Sequence, residues 1–516
     1  VTGVQTCALP ISRELSSGSD EGARLFRQSV SLSRDIERGR IELAQLNQAL
    51  AKNPSVAPMI AAQQKDIEQL SAQQTDTLAR LGGYPQFRAV SREVIGLSDL
   101  QSALKPGEAY IKMAVLGEGA YVVYADANGA TGYKLPISPA MLSSKVDTLR
   151  ETISTYVNGA QATYPLDVKL AREMFIDLLG PVSGQLADVK SIIFEPDGAM
   201  LSLPPALLIA SQPGVDAYMA RITQPGSDEF DFRGIDWLGR THAMSTSLSA
   251  RAFRDARMAA PSKARKNYIG FGENAPVNAI RQVAFTRSAV ADQQANRIDC
   301  DWPLAQWSQP IPATELREAA ALLRGGTQVV TGAAFTDDSI LARDDLSDFR
   351  ILHFATHGLV TAPRRGCPAR PALVTSFGPA GKSDGLLQFG EIFDMKLDAD
   401  LVILSACDTA GKASREATQA AGLTTGGGSA LDGLVRAFIG AGGRSVIASH
   451  WPAPEEFQAT EKLISGLFRA PPGEGVAEAL HDAALPLMDS AETSHPFYWA
   501  GFAVIGDGSR PLVSAD

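Results

Sequence analysis

Short apolar runs that stop at small or polar residues alternate with helix-like segments from about residue 188 onward. Buried parallel strands have this pattern because other parts of the protein cover both of their faces. The candidate strands are Ser191–Glu195, Asn267–Gly272, Ile351–Ala355, Leu401–Ser405, Ser445–Ser449 and Trp499–Ile505. Candidate helices lie at about 247–257, 313–324, 428–440, 455–469 and 475–488. This alternation predicts an α/β fold with a mostly parallel sheet flanked by helices.

The segment 84–187 has a different pattern of apolar and turn residues, which predicts a small α/β unit ahead of the larger one. Ala109–Val115 and Ala120–Tyr124 are rich in apolar residues and flank the turn at 117–119, which is the pattern of a β-hairpin. Helical stretches follow at about 140–157 and 165–179. The segment contains no cysteine, so it offers no candidate nucleophile of that kind.

Residues 13–83 predict an αα-hairpin that serves as a helical spacer or packing arm. Apolar residues recur at helical intervals in two stripes, and Asn53-Pro54 is expected to break the helix between them. The first stripe contains Leu25, Leu32, Ile36, Leu43, Leu46 and Leu50, and the second contains Ile60, Ile67, Leu70, Leu78 and Leu81. The sequence contains no complete repeat of the tetratricopeptide type.

The first residues, Val1–Ser12, look like translated sequencing-adapter sequence, and the chain begins with Val rather than Met. We therefore expect that residues 1–12 are not native and that the true N-terminus is missing. Their apolar part is short and has no basic flank, so they make a poor signal peptide.

The composition argues against several classes of function. The chain has 516 residues, of which 45% are hydrophobic and 20% charged, as in an ordinary globular protein. A formal net charge of −10 argues against a general nucleic-acid binder, which normally carries a basic face. No apolar run reaches the length of about 18 residues that a membrane-spanning helix needs.

The cysteines are scattered along the chain at Cys7, Cys300, Cys367 and Cys407, and none of them forms a CxxC pair. A disulfide framework or a structural zinc site is therefore not expected. Thiols in this arrangement fit a reducing compartment best, and we expect a cytoplasmic protein.

Two of the apolar runs end in reactive side chains. The run 351–358 carries His357, and the run 401–409 carries Cys407. In an open α/β sheet, sites form beyond the carboxyl ends of the strands, so these two strands would bring an imidazole and a thiol to the same edge. This pair is the minimum for nucleophilic cysteine catalysis, because the imidazole favours the thiolate and then protonates the leaving amine.

His357 lies 50 residues before Cys407, which is about the spacing between His and Cys in caspases. Five segments are informative together: IIFEPDGAMLSLPPALL (192–208), ILHFATHG (351–358), LVILSACDTA (401–410), LVRAFIGAGGRSVIASHWP (434–452) and HPFYWAGFAVIGDG (495–508). With these segments, residues 188–516 resemble the CHAT domain, a caspase-like cysteine peptidase module of bacteria that is related to separase and often fused to tetratricopeptide repeats. The segment 84–187 resembles what usually precedes this domain.

The resemblance implies a catalytic pair. His357 would be the general base and acid, and Cys407 would be the nucleophile. The backbone N–H groups of Gly358 and Cys407 would form the oxyanion hole, which stabilises the charge that develops on the attacked carbonyl. The chemistry requires no metal and no cofactor.

Three further residues are candidates for substrate contacts. Glu455 is four residues after Trp451, at the position where separases carry the carboxylate that holds a basic side chain before the scissile bond. A carboxylate there would favour Arg or Lys, although an acid at a helix N-terminus is an equally ordinary interpretation of Glu455. Asp408 is a weaker candidate for the same role. His450 either packs in the core or contacts the substrate.

Other interpretations of the reactive residues stay open. Taken alone, Cys407 at a strand end is typical of a buried structural thiol. Cys367 follows two arginines whose charge would lower the pKa of its thiol, so it is a rival nucleophile. His353 lies too far along the strand from His357 for both to bind one metal, and it is predicted to be a core histidine.

We expect a cysteine endopeptidase that cleaves a partner protein after Arg or Lys. An upstream region would regulate it, with a regulatory partner bound through missing N-terminal repeats. The Gly-, Ala- and Thr-rich segment 410–430 would be ordered or cleaved on activation. No membrane or direct nucleic-acid contact is expected. The alternatives are a catalytically idle interaction module of the same fold and an acyl hydrolase acting on small esters or amides.

Overall fold

The computed structural model describes residues 56–81, 95–157, 160–276, 305–359, 372–378, 383–408, 428–451, 453–454 and 456–512, together with single helical positions at Leu25, Gln28, Leu32, Leu43 and Leu46. The strands, in chain order, are β1 (Glu108–Leu116), β2 (Gly119–Ala125), β3 (Ala130–Lys134), β4 (Thr155–Val157), β5 (Ala160–Ala162), β6 (Ser191–Glu195), β7 (Ala243–Thr246), β8 (Lys266–Asn274), β9 (Thr327–Gly332), β10 (Phe349–Leu359), β11 (Ala372–Val374), β12 (Leu386–Gln388), β13 (Ala399–Asp408), β14 (Gly443–Ser449) and β15 (Phe502–Gly506).

The helices are α1 (Ala57–Leu81), α2 (Leu97–Ala103), α3 (Pro139–Ile153), α4 (Val168–Leu179), α5 (Ser183–Leu186), α6 (Gln212–Ile222), α7 (Leu238–Thr241), α8 (Ala250–Met258), α9 (Ala305–Ser308), α10 (Thr314–Leu322), α11 (Asp337–Leu341), α12 (Phe389–Asp394), α13 (Gly428–Gly440), α14 (Ala459–Phe468) and α15 (Val476–Asp489). Short 3-10 helices lie at Gly180–Val182, Gly198–Ser202, Pro205–Leu207, Leu346–Asp348, Glu456–Gln458 and Pro496–Tyr498.

A single sheet runs through most of the described chain. Its strands follow the order β9-β8-β10-β13-β14-β15-β7-β6-β1-β2-β3, and the hairpin β11–β12 pairs with the carboxyl end of β10. Strands β9, β8, β10, β13 and β14 are parallel to one another, and so are β15, β7, β6 and β1. The predicted α/β fold with a mostly parallel sheet is confirmed.

Side chains of the central strands alternate between two hydrophobic cores, one on each face of the sheet. The residues Ile351, Leu401, Ile403 and Ile447 belong to one core, and Leu352, Phe354, Val402, Leu404 and Val446 belong to the other. Successive side chains in a strand point to opposite faces, so strands covered on both sides read as continuous apolar runs. Each such side chain contributes about 1.5–3 kcal/mol when it is fully buried.

The sheet continues across the predicted boundary at residue 188. Strand β1 pairs with β2 through the predicted turn, with Leu116 opposite Gly119, and on its other side it pairs in parallel with β6, with Glu108 opposite Ser191. The predicted small α/β unit thus supplies strands to the same sheet that contains the central strands.

A buried group of charges fastens this junction. The Arg257 Nη1 atom lies 2.8 Å from Glu108 Oε2, and the Arg257 Nε atom lies 2.9 Å from Asp507 Oδ1. All three side chains are less than a tenth exposed. Charges are tolerated at such depth because each has an opposite partner within hydrogen-bond distance. The group ties the start of β1 to the end of α8 and to the segment after β15.

The strands that the sequence did not reveal are β3, β4, β5, β7, β9, β11 and β12, which are short, polar or partly exposed. The direction of β15 was also not foreseen, because β15 is antiparallel to β14. Among the helices of the described ranges, none combines the length and the apolar character that crossing a membrane requires.

Candidate active site

His357 and Cys407 occupy neighbouring positions on two parallel strands. The backbone register of β10 and β13 places His357 opposite Cys407, and Gly358 opposite Asp408. Adjacent strands lie about 4.8 Å apart, so the backbones of His357 and Cys407 are separated by about this distance. Both positions are near the carboxyl ends of their strands, as the sequence predicts.

The hydrogen bonding of His357 indicates its tautomer. Its Nε2 atom lies 2.6 Å from the backbone carbonyl oxygen of Gln309. A carbonyl oxygen only accepts, so we assign the hydrogen to Nε2, which leaves Nδ1 of the neutral ring unprotonated. The Nδ1 atom is buried and has no hydrogen-bond partner within the described part of the chain. As far as the described residues go, the partly exposed ring therefore has an unoccupied acceptor for a proton at Nδ1.

Gln309 enters the site through its main chain alone. It lies between α9 and α10 and precedes Pro310, which restricts it to extended backbone conformations. Every residue type carries the same carbonyl group, so no feature of the sequence could have identified Gln309 as a partner of His357. Only the folded chain shows this contact.

His353 has a different environment on the same face of the same strand. It is fully buried, with Nδ1 2.9 Å from the hydroxyl of Tyr268 and Nε2 3.0 Å from Glu315 Oε1. The second approach has the distance of an ion pair but not the alignment of a hydrogen bond. Burial, together with the charge of Glu315, raises the pKa of Tyr268 well above its usual value. The prediction of a core histidine is confirmed.

The backbone of Gly358 is held from both sides. On one side it pairs with Asp408 of β13, and on the other with Leu373 of β11. The buried Thr356 strengthens the second junction, because its Oγ1 donates to the carbonyl of Val374 at 2.7 Å. The small hairpin β11–β12 thereby fixes the end of the histidine strand.

His450 directly follows β14, which is the next strand beyond β13. Burial, assisted by the charge of Arg150, lowers the pKa of His450 to about 3, so its ring is neutral at pH 7. The ring lines a cavity of about 60 Å³ together with His242 and His481. Among the described residues, its backbone bonds and ring contacts involve Arg150, Gly501 and Trp451 rather than His357.

Of the remaining predicted residues, only some lie in the described part of the chain. The backbone of Asp408 ends β13 beside Gly358. Glu455, the rival nucleophile Cys367 and the segment 410–430 as far as residue 427 lie outside the described residues. Helix α13 begins at Gly428, close to the predicted start.

Two solved structures share a weak overall similarity with this chain. The Arg-specific cysteine proteinase gingipain R is 9% identical, the alignment covers 67% of this chain and 68% of that chain, and the TM-score is 0.33. In the Saccharomyces cerevisiae separase–securin complex the matched chain is 10% identical, 98% of this chain and 41% of that chain are covered, and the TM-score is 0.39. Similarity of this degree supports no conclusion about individual residues.

The sequence itself is similar to Tetratricopeptide repeat protein 28 from two mammals. The Homo sapiens protein is 26% identical over 291 residues, which are 50% of this chain and 10% of that protein. The Mus musculus protein is 28% identical over 229 residues, which are 38% of this chain and 9% of that protein. The chain therefore spans about a tenth of the length of these relatives.

Residues 168–507 match the family model described as the CHAT domain. The match includes β6 to β15, and with them both strands that carry His357 and Cys407. It covers more than half of the 516 residues. This chain belongs to the CHAT domain family.

Proposed function

We propose that the chain is a cysteine endopeptidase in which His357 and Cys407 form the catalytic pair. The register of β10 and β13 carries this proposal, because it sets the two residues opposite each other near the carboxyl ends of parallel strands. Family membership supports the coarser statement, a cysteine-peptidase-like module. The Nδ1 atom of His357, which has no hydrogen-bond partner among the described residues, adds the acceptor that a general base needs.

In the proposed reaction, Nδ1 of His357 takes the proton of the Cys407 thiol, and the thiolate attacks the carbonyl carbon of a peptide bond. His357 then gives this proton to the leaving amine as the C–N bond breaks, which leaves a thioester acyl-enzyme. Water attacks the thioester and gives a proton to Nδ1. That proton returns to the sulfur as the acid product leaves, so the protons balance without a metal or a cofactor.

The Gln309 carbonyl supports both protonation states of the ring in this cycle. In the neutral ring it holds the hydrogen on Nε2 and leaves the lone pair on Nδ1. In the imidazolium state the same Nε2–H bond becomes charge-assisted and therefore stronger. The contact thus favours the tautomer that acts as a base and stabilises the ion that forms.

The backbone N–H groups of Gly358 and Cys407 are proposed to bind the oxyanion. Donors that are fixed before the reaction stabilise a developing charge without reorganisation. The ladders on both sides of Gly358, to Leu373 and to Asp408, support such a rigid placement.

Asp408, Glu455 and His450 are proposed to contact the residue before the scissile bond, with Arg or Lys preferred. Asp408 is the neighbour of Cys407 in sequence, and its backbone pairs with Gly358. His450 is neutral at pH 7 because its pKa is lowered to about 3, so it would not repel a cationic side chain.

The substrate is proposed to be a partner protein that is recruited through a neighbouring region. Both relatives carry tetratricopeptide repeats in their names, and this chain matches only about a tenth of either one. A regulatory partner bound to such repeats would then control when the peptidase acts.

The test is covalent labelling with a peptidyl acyloxymethyl ketone that carries Arg at the reactive position, compared with the same probe carrying Asp. Mass spectrometry identifies the labelled residue. We expect the Arg probe to label Cys407, the Asp probe to leave it unlabelled, and H357Q to slow the labelling. The variant C367A is the matched control and should label like the wild type.

Other results would redirect the proposal. Labelling of Cys367 in place of Cys407 would identify the rival nucleophile. The absence of any label, with or without a repeat-containing partner, would favour the idle interaction module. Hydrolysis of small esters without cleavage of any peptide would favour the acyl hydrolase.

A further inference from the structure

We propose that Glu273 and Asn274, the last two residues of β8, position the imidazole of His357 by clamping the segment that carries the Gln309 carbonyl. This inference rests on the proposed role of His357 as the general base. Within the described part of the chain, neither Glu273 nor Asn274 forms a hydrogen bond or ion pair with His357, so both would act through the main chain of residues 307–313. We refer to this pair as the β8 clamp.

Asn274 holds the segment on the side before Gln309. Its side chain is almost completely buried, and its Nδ2 donates to the carbonyl of Trp307 at 3.1 Å, two residues ahead of Gln309. A second carbonyl, that of Ala275, lies 3.4 Å from the same nitrogen. Two acceptors on one side identify that end of the amide as the NH₂ group. The amide is thus committed to holding the main chain.

Trp307, whose carbonyl accepts from Asn274, is itself held in place. Its indole is buried, and Nε1 donates to the carbonyl of Gly385 at 3.1 Å. Gly385 belongs to the turn before β12, in the hairpin that also pairs with Gly358. The segment before Gln309 is therefore attached to the same small hairpin that fixes the end of the His357 strand.

Glu273 holds the segment on the side after Gln309. Its Oε2 accepts from the N–H of Ala313 at 3.3 Å and pairs with Arg317 at 2.7 Å. Between the two anchors, Pro310 and Pro312 have fixed φ angles, which reduces the freedom of the carbonyl. The two neighbouring side chains of the clamp therefore restrain both ends of a stiff segment.

The backbone of the clamp is itself unusual. Glu273 has a φ of +49°, in the left-handed region that favours glycine, and the β8–β9 register shifts between Gly272 and Asn274. Strain and bulges of this kind concentrate beside functional sites, where they redirect side chains. The bulge lets two consecutive side chains reach the same segment.

Loss of the clamp would release the Gln309 carbonyl from Nε2 of His357. The neutral ring would then also populate the tautomer with hydrogen on Nδ1, which cannot take the thiol proton. The turnover number should fall while KM stays nearly constant, because the clamp is proposed to act on the imidazole rather than on the substrate.

The test uses E273G and N274A in the full chain with ¹⁵N-labelled histidine. The chain has only 6 histidines, so H357Q suffices to assign the His357 signals in long-range ¹H–¹⁵N spectra. We expect the wild type to show hydrogen on Nε2, and both variants to show a mixture of tautomers. Their kcat should fall by about tenfold, with KM within about twofold, which is modest beside the full contribution of general base catalysis.

Two controls separate positioning from folding. Glycine suits the left-handed backbone at position 273, so E273G should fold at least as well as the wild type. R317Q removes the other partner of the same carboxylate and should leave the tautomer unchanged. Retention of the Nε2–H signal in both E273G and N274A would overturn the clamp. Failure to label Cys407 in the wild type would instead overturn the peptidase, since the tautomer is read without any reaction.

Discussion

His353 and His357 lie four residues apart on the same face of β10, yet the structure gives them opposite surroundings. His353 is fully buried, and each of its ring nitrogens has a polar side-chain group within 3.0 Å. His357 is partly exposed and has one nitrogen bonded to a main-chain carbonyl and the other without a partner in the described residues. The middle of the strand holds a histidine in place, whereas its end leaves one free to exchange a proton.

The difference shows that neighbours, rather than residue type, decide what a histidine can do. Both ring nitrogens of His353 face a polar side chain, Tyr268 or Glu315, so neither is open to a proton from a substrate. A ring held only at Nε2 keeps one acceptor available. Substitutions that act on one histidine and not on the other therefore test this comparison.

The largest effect is expected for H357Q. Removal of the proposed general base should lower kcat/KM for a cleaved peptide at least about a thousandfold. The free energy of unfolding should change by less than about 0.5 kcal/mol, because the ring is partly exposed and lies at the end of the strand. Peptide cleavage and urea denaturation of the same preparation check both statements. A stable variant that keeps its activity would remove His357 from the mechanism.

H353L should have the reverse profile. It would leave the buried Tyr268 hydroxyl and the Glu315 carboxylate without their partner, at a cost of about 3 kcal/mol in the free energy of unfolding. Urea denaturation measures the loss. The double variant H353L/E315L should recover part of it, because no charge remains buried without a partner. Lost activity in H353L with unchanged stability would contradict a purely structural role.

The third comparison concerns the loss of stability in acid and involves His495, another buried histidine. Its Nε2 donates to the Tyr164 carbonyl at 3.0 Å, and its Nδ1 accepts from the N–H of Phe497 at 3.1 Å. Burial lowers the pKa of His495 to about 4, although the Tyr164 carbonyl acts in the opposite direction.

Below the unfolded pKa of about 6.5, the unfolded chain binds a proton that the native ring does not, so stability is lost as the pH falls toward about 4. The expected slope is about 1.4 kcal/mol per pH unit for this group. In H495Q, the change of the free energy of unfolding with pH should be smaller by this amount, which corresponds to one bound proton, between about pH 6 and pH 4.5. An unchanged slope would mean that the native ring is protonated there.

The smallest effect is expected for T356V, between the two histidines. The substitution keeps the branched shape but removes the hydroxyl that donates to Val374 at 2.7 Å. A loss of about 1 kcal/mol in the free energy of unfolding is expected, since one buried hydrogen bond disappears. The turnover number should stay within about twofold of the wild-type value. A much larger loss of turnover would indicate that the bond from Thr356 to the hairpin β11–β12 also aligns His357 for catalysis.

The sequence predicted the parts of this fold that bury apolar residues continuously. The apolar run Leu401–Ser405 predicts a strand, and in the structure its side chains contact both hydrophobic cores. The hairpin around Gly117–Gly119 was identified from its turn residues. By contrast, β9 is only partly buried and β11 spans Ala372–Val374 alone, so neither gives a distinct period.

The candidate pair was accessible from the sequence for a related reason. His357 and Cys407 both follow apolar runs, and parallel pairing then brings their backbones together. The sequence could not predict the contact of the Gln309 carbonyl or the β8 clamp. Both involve main-chain groups of residues 307–313, and any residue type carries such groups. The direction of β15 was missed as well, since a strand of the same composition can pair either way.

The pairing of β1 with β6 also limits how this protein can be divided. If the chain were cut at residue 188, β6 would keep its pairing with β7 but lose β1, and Ile192, Ile193 and Phe194 would belong to an open edge strand of buried character. Open apolar edges recruit other chains and aggregate. The break would also separate Glu108 from Arg257 and leave a cation buried beside Asp507 alone. We therefore expect the segment from residue 95 onward to be inherited, exchanged or produced only as one indivisible module.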